Sequence, residues 1–243
     1  LRMRLSPLDA TFSGYPKYHD RLDDNSPAGR EAERGELNGL LSRLAAIDAR
    51  ELSESERLSA DVMRWQIEVR LESLPHKFHQ WNVDHMDGPQ SWIPTVIELA
   101  QPMKTEADAE ALLVRMRAMP GYFRNQIADL KEGLKEKRLA ARLPVEKAIA
   151  QLEDILKTPA ARTPYAAAAG KLPEALKAKY LPLVLAEVEV SAYAAERAYL
   201  DFLKKDYLPR ARRGNIGLSG LPGGLAAYRQ RIRYHTSLDK TPE

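Results

Sequence analysis

Apolar residues recur three and four positions apart along most of the chain, which is the spacing of one face of an α-helix. Helix-starting signals precede these repeats: a Ser or Thr N-cap followed by proline, or by an acidic residue three positions later. They occur at Ser6, Ser26, Ser53 and Thr105. Together, signals and repeats predict helices near residues 7–13, 27–48, 54–74, 106–118, 120–134, 144–156, 173–207 and 225–235.

The pattern contains little that favours β-structure, and only residues 77–83 fit a short extended segment. Pro182 interrupts the longest helical repeat, so a kink is expected there. The stripe predicted to face the core of the helix over 54–74 consists of Leu58, Val62, Trp65 and Val69. We therefore predict an all-α fold, a multi-helix array of roughly eight to ten helices.

Three stretches interrupt the helical pattern, at residues 76–90, 158–170 and 214–224. The last contains five glycines in eleven residues, and irregular backbone between rigid helices is where binding surfaces usually lie. The middle stretch is rich in proline and alanine. The chain is interpreted as one helical region, 1–243, with a sub-boundary predicted near 158–172.

Composition narrows the class of protein. The apolar fraction of 44% is that of an ordinary globular chain, and the net charge of +3 is too small to imply a polyanionic partner. Cysteine is absent, which excludes disulfides, thiol nucleophiles and Cys-ligated metals within the chain. The absence of cysteine fits a cytoplasmic origin as well as a periplasmic or lipoprotein origin. No apolar run approaches the ~20 residues that cross a bilayer.

The densest group of metal-binding side chains is His76, His79 and His85, interleaved with Asp84 and Asp87. Their spacing is not that of a helical metal motif, so packing or surface histidines are favoured, with a metal site and substrate contact as alternatives. Paired carboxylates such as Asp23-Asp24 fit ordinary turn charges. Neither H-E-x-x-H nor G-x-S-x-G occurs, so no catalytic and no metal-ligating residue is predicted.

Arginines cluster near the C-terminal end, interleaved with Tyr228 and Tyr234. Basic residues between aromatic ones can bind phosphates and stack on bases. On a helix, however, Arg229 and Arg233 share a face while Arg231 points away, so no single basic stripe forms. A solvated or salt-bridged face is therefore preferred, and a nucleic-acid partner is disfavoured.

The last residues resemble the opening of a helix, with Thr241 as N-cap, Pro242 at the first helical position and Glu243 in the first turn. A helix of one residue has no face to bury. We therefore expect the chain to be the N-terminal part of a longer protein. Its expected partner is the C-terminal half of that same protein.

Several segments recur in an order typical of one family. They are 6–14, 18–22, 52–61, Trp81-Asn82, Met86-Asp87-Gly88-Pro89-Gln90, 105–110, 202–209, Leu221-Pro222-Gly223-Gly224 with Tyr228, and 234–243. In this order they resemble the N-terminal half of a large bacterial family, the domain-of-unknown-function family eight-eight-five. The resemblance covers essentially the whole chain.

The resemblance implies an all-helical, zincin-like metallopeptidase, a hydrolase. In that family the H-E-x-x-H helix and a further zinc ligand lie in the C-terminal half, which this sequence does not include. Zinc is therefore expected in the full-length protein, and no cofactor is expected in this segment. The role implied for the segment is one wall of a cleft that takes a peptide substrate.

The residues predicted to face that cleft come from two of the irregular stretches. They are Asn82, Asp87, Gly88, Pro89, Gly223, Gly224, Tyr228 and Tyr234. Gly88-Pro89 is expected to fix a turn, and the Gly223-Gly224 amides and tyrosine hydroxyls to hold a peptide main chain. The alternative is a non-catalytic helical binding module whose basic end contacts a protein or a nucleic acid.

Overall fold

The computed structural model describes residues 2–242, and helices dominate its regular structure. The α-helices are α1 (Arg2–Leu5), α2 (Pro7–Phe12), α3 (Pro27–Ala45), α4 (Glu54–Ser73), α5 (Pro89–Ala100), α6 (Glu106–Arg117), α7 (Met119–Glu136), α8 (Arg142–Ile155), α9 (Pro164–Ala169), α10 (Glu174–Glu187), α11 (Tyr193–Phe202) and α12 (Gly224–Thr236). Among the described residues there is no β-strand, only an isolated bridge between Ala141 and Arg212. The predicted all-α array is confirmed.

Two capping boxes set the starts of α4 and α6, as their sequences predict. The Glu56 N–H donates to Ser53 Oγ at 3.3 Å, and the Ser53 N–H donates to the Glu56 carboxylate at 2.8 Å. Thr105 and Asp108 make the same reciprocal pair at 3.2 and 2.8 Å. These bonds satisfy amide groups that a helix start leaves free, and they involve only neighbouring residues.

One prediction about local structure is wrong and another is only partly right. The segment expected to be extended forms a 3₁₀-helix, Phe78–Trp81. In α4, Val69 of the predicted stripe is buried, but Leu58 is 66% and Val62 47% exposed, because the buried residues of this helix all lie in its second half. The helix α5 was not foreseen, since prolines at both its start and its interior obscure the repeat.

The longest predicted helix continues through Pro182, which lies inside α10. Departures from α geometry come later, as two π-helical turns at Val188–Ala192 and Leu203–Tyr207 that flank α11. No helix in the described part of the chain is both long and apolar enough to cross a bilayer.

The buried apolar side chains form two clusters. The main core is built from α5 to α11 and includes the stretch 158–172, since Tyr165, Ala168 and Ala169 of α9 belong to it. A smaller cluster of Leu37, Leu44 and Ile67 holds α3 against α4. The pair α3–α4 therefore forms a helical hairpin with its own packing, set against a larger body.

Candidate functional site

A cleft of about 1240 Å³ runs along one side of the molecule. One part of it is lined by α3 and the end of α4. Other parts are lined by α1 and the start of α2, by the residues before α3, and by the 3₁₀ segment with the residues after it. The lining also includes α7, the start of α8, the loop between α11 and α12, and Arg231 of α12. Several elements that are far apart in sequence thus meet at this surface.

Aromatic and imidazole side chains of the segment Phe78–Trp81 lie in the cleft. The rings of Phe78 and Trp81 meet edge to face, with centroids 5.3 Å apart. Burial, helped by the charges of Arg30 and Lys77, lowers the pKa of His79 to about 4. The imidazole is therefore neutral near pH 7 and offers one donor and one acceptor.

An ion pair joins the hairpin to the main body across the cleft. The Arg30 guanidinium donates to both carboxylate oxygens of Asp129, at 2.8 and 2.9 Å, and to the carbonyl of Asn25. Burial raises the pKa of Asp129 against the opposing effect of Arg30. The Asn25 amide in turn donates to the Tyr122 carbonyl, so α3 and the residues before it are tied to α7.

Asp23 also lines the cleft, and its interpretation as an ordinary turn charge is wrong. Its carboxylate accepts the Leu8 N–H at 3.1 Å, which satisfies an amide in the first turn of α2. Burial raises the pKa of Asp23 to about 6. A carboxyl group with a raised pKa in a cleft is a candidate for proton transfer or for substrate contact.

Of the residues predicted to face a cleft, Asn82 lines this one. Its side chain is exposed, and its carbonyl accepts the Gln126 amide at 2.9 Å, which fixes the backbone there.

Asp87, Gly88 and Pro89 lie outside the described lining of this cleft, in the turn that starts α5. The Asp84 carboxylate accepts the N–H groups of residues 86 and 87, and Gly88 is the N-cap with Pro89 at the first helical position. A Cβ on Gly88 would lie 2.3 Å from the Asp84 carbonyl oxygen, so glycine is required for this packing.

Gly223, Gly224, Tyr228 and Tyr234 lie together at α12. Gly223 has a φ of +70°, and the Gly224 N–H already donates to the Leu221 carbonyl at 2.8 Å. A Cβ on Gly224 would lie 1.9 Å from the Leu218 carbonyl oxygen. Both tyrosines are more than 40% exposed, and both lie outside the described lining of the cleft.

The three histidines considered for a metal do not assemble. No group of three or more His, Asp or Glu side chains among residues 2–242 is placed to hold a metal ion. His79 faces the cleft, whereas His85 has a buried Nδ1 without a hydrogen-bond partner in the described structure. Thr241 and Pro242 are not helical, and Glu243 lies outside the described residues.

Sequence reasoning missed most of the cleft. Arg30 and Asp129 are 99 residues apart, and nothing local marks them as a pair. For Arg231 the sequence does contain a signal. Its helical spacing places it on a different face of the helix from Arg229 and Arg233, which indicates a different environment. The structure places Arg231 in the cleft and pairs Arg233 with Glu72 at 2.8 Å.

Comparison with solved structures shows a related fold. The crystal structure of a candidate lipoprotein from Colwellia psychrerythraea superposes with a TM-score of 0.86 at 19% sequence identity. The match covers 99% of this chain and 45% of the other, so the chain spans less than half the length of that protein. At this identity the likeness shows the fold alone. No match is found among curated proteins.

A family model agrees with the ordered segments found in the sequence. The model described as a bacterial protein of unknown function, DUF885, matches residues 7–243. This match covers nearly the whole chain and confirms the resemblance at the level of the family. The chain belongs to the DUF885 family of bacterial proteins.

Proposed function

We propose that the chain is the N-terminal scaffold of a zinc-dependent peptidase and forms one wall of its substrate cleft. The observation that carries the proposal is the cleft itself. Its volume of about 1240 Å³ exceeds the roughly 300–1,000 Å³ of ordinary small-molecule sites, which favours a segment of polymer as the ligand.

The lining suits a peptide. Aromatic rings of Phe78 and Trp81 offer apolar surface, while Asn82 and the neutral imidazole of His79 offer both donors and acceptors. A peptide presents a matching combination, because its side chains can be apolar while its main chain carries one N–H donor and one C=O acceptor at most residues. Asn82, Tyr228 and Tyr234 are proposed as contacts, and the two glycine turns as the backbone that shapes the rim.

The described residues do not fit a zinc site, because they contain no cluster of three suitable ligands. The zinc and the H-E-x-x-H helix are therefore proposed to belong to the C-terminal half of the longer protein. No catalytic step is assigned to a side chain of this chain. Its residues bind and orient the substrate, and the longer matched structure is consistent with such a division of the molecule.

A binding module without catalysis is the competing proposal. It is favoured by the exposed Tyr228 and Tyr234, which stand beside arginines on α12. The modest net charge of +3 favours a protein partner over a nucleic acid in that case.

The experiment that separates these proposals uses the full-length product of the gene. We expect the reading frame to encode H-E-x-x-H beyond residue 243, the purified protein to hold about one zinc, and peptide hydrolysis to stop with a chelator and return with zinc. Full-length protein without zinc and without hydrolysis, but with retained peptide binding, would establish the binding module instead.

A further inference from the structure

Arg231 is a guanidinium in the cleft that has aromatic neighbours and no carboxylate. Its Cζ lies 4.1 Å from the centroid of the Phe78 ring and 5.3 Å from that of the Tyr234 ring. Within residues 2–242, its guanidinium nitrogens take part in no hydrogen bond and no ion pair. The two rings hold the planar group in place while its N–H edge stays available.

Four cations near Arg231 are paired with carboxylates. Arg70 is paired with Glu33 at 2.6 Å, and Arg233 with Glu72 at 2.8 Å. Glu136 serves both Lys77, at 2.7 Å, and Arg138, at 3.3 Å. Three carboxylates thus serve four cations, and Arg231 adds a fifth cation that has no carboxylate partner in the described structure.

The pKa values of two neighbouring histidines are lowered first by burial and then by nearby positive charge. Burial lowers the pKa of His76, and the charges of Arg138 and Arg231 lower it further. Burial also lowers the pKa of His79, and among the charges acting on it Arg30 and Lys77 have the largest effects. The region therefore favours an anion over a neutral ligand.

We propose that Arg231, held against Phe78 and Tyr234, binds one carboxylate of a ligand that enters the cleft. A single carboxylate fits better than a polyphosphate, because Arg30 and Arg70, which also line the cleft, are already paired with Asp129 and Glu33. The planar guanidinium matches the two oxygens of a carboxylate. That the ligand is a peptide rests on the proposed function; the anion site itself does not.

Binding to the full-length protein tests the site without requiring hydrolysis. Short peptides are compared in matched pairs, Glu against Gln at each position and free C-terminus against C-terminal amide, by calorimetry. The two kinds of pair distinguish a side-chain carboxylate from a terminal one. In one of the two kinds of pair, we expect the peptide with the additional carboxylate to bind about ten-fold more tightly than its neutral partner.

Arg231→Gln should abolish that preference, and Arg231→Lys should retain a reduced one. Arg229→Gln is the matched control, because Arg229 is exposed on the same helix and lies outside the described lining of the cleft. The proposal is overturned if Arg231→Gln keeps the acidic preference while its melting temperature is unchanged, or if neither pair shows a preference in the wild type. If the protein prefers the acidic peptides but hydrolyses none, the carboxylate site is supported and the peptidase proposal is rejected. If it hydrolyses peptides but shows no acidic preference, the peptidase proposal is supported and the carboxylate site is rejected.

Discussion

Arg115 shows how one buried side chain organises the residues before α3. It is fully buried, and its guanidinium donates to the carbonyls of Tyr18 and Arg21, to Gln101 and to Thr11, at 2.5–2.9 Å. Burial lowers the pKa of Arg115 to about 10, so the group remains protonated near neutral pH. A loop containing Tyr18, with its positive φ of 73°, is thereby fixed to α6.

Replacing Arg115 by lysine should therefore be severe. Lysine keeps the charge but cannot present the planar set of donors, so several carbonyls lose their partner. We expect the free energy of unfolding to fall by about 3 kcal/mol, measured by urea denaturation. Arg117→Lys, two residues later, is the control: Arg117 is exposed and paired with Glu187, and we expect little change.

Glu196 is a second buried residue of consequence. Its side chain is fully buried in α11, and neither of its carboxyl oxygens has a hydrogen-bond partner in the described structure; the same holds for the Tyr165 hydroxyl. Burial raises the pKa of Glu196 to about 8, so the carboxyl group is mostly protonated at neutral pH. An unpaired charge at this position would be strongly unfavourable.

This raised pKa predicts a specific dependence of stability on pH. The folded state holds the proton more tightly than the unfolded state, so its stabilising contribution is complete below about pH 4.5 and is lost as the pH rises towards 8. Glu196→Gln cannot ionise and should flatten the profile by on the order of 1 kcal/mol per pH unit over that window. Chemical denaturation at several pH values measures it. An unchanged slope would contradict the assignment, and the exposed Glu189→Gln is the control.

At the scale of elements, the two capping boxes should differ in importance. Thr105 starts α6, whose Ala109, Leu112 and Met116 lie in the main core, whereas Ser53 starts the exposed half of α4. We expect Thr105→Ala to lower the free energy of unfolding by about 1 kcal/mol, and Ser53→Ala to have a smaller effect because it frays only an exposed end. Thr105→Ser, which keeps the hydroxyl, should restore most of the loss.

The difference between local contacts and contacts made only after folding explains which features the sequence could predict. The sequence predicts the starts of four helices, because each start depends on residues within a few positions of each other. These helices are α3, α4, α6 and α12. The face of α4 that is buried depends on where α3 and α12 pack, which no local pattern contains. Asn82 was placed in the cleft by resemblance, whereas Arg30 and Asp129 meet only after the chain folds.

At the scale of the whole molecule, the width of the cleft depends on how the hairpin α3–α4 is held to the body. Its own cluster is small, with Leu37, Leu44 and Ile67 as the buried members. The fully buried residues of α6, α7 and α11 belong to the main core instead. Amide hydrogens in α3 and the first half of α4 should therefore exchange sooner than those in α6 and α11.

The ion pair between Arg30 and Asp129 provides the means to test this dependence. Asp129 is 95% buried at its side chain, and Asp129→Asn leaves the Arg30 charge without its carboxylate. We expect exchange in α3 to become about ten-fold faster, with α6 and α11 unchanged, as measured by mass spectrometry. Glu31→Gln is the control, since the ion pair that Glu31 forms in the described structure is an exposed one with Arg34 in the same helix. If exchange in α3 were unchanged in Asp129→Asn, the other ties to the body, such as the Asn25–Tyr122 hydrogen bond and the Arg233–Glu72 ion pair, would be sufficient, and the cleft would keep its width without the Arg30–Asp129 pair.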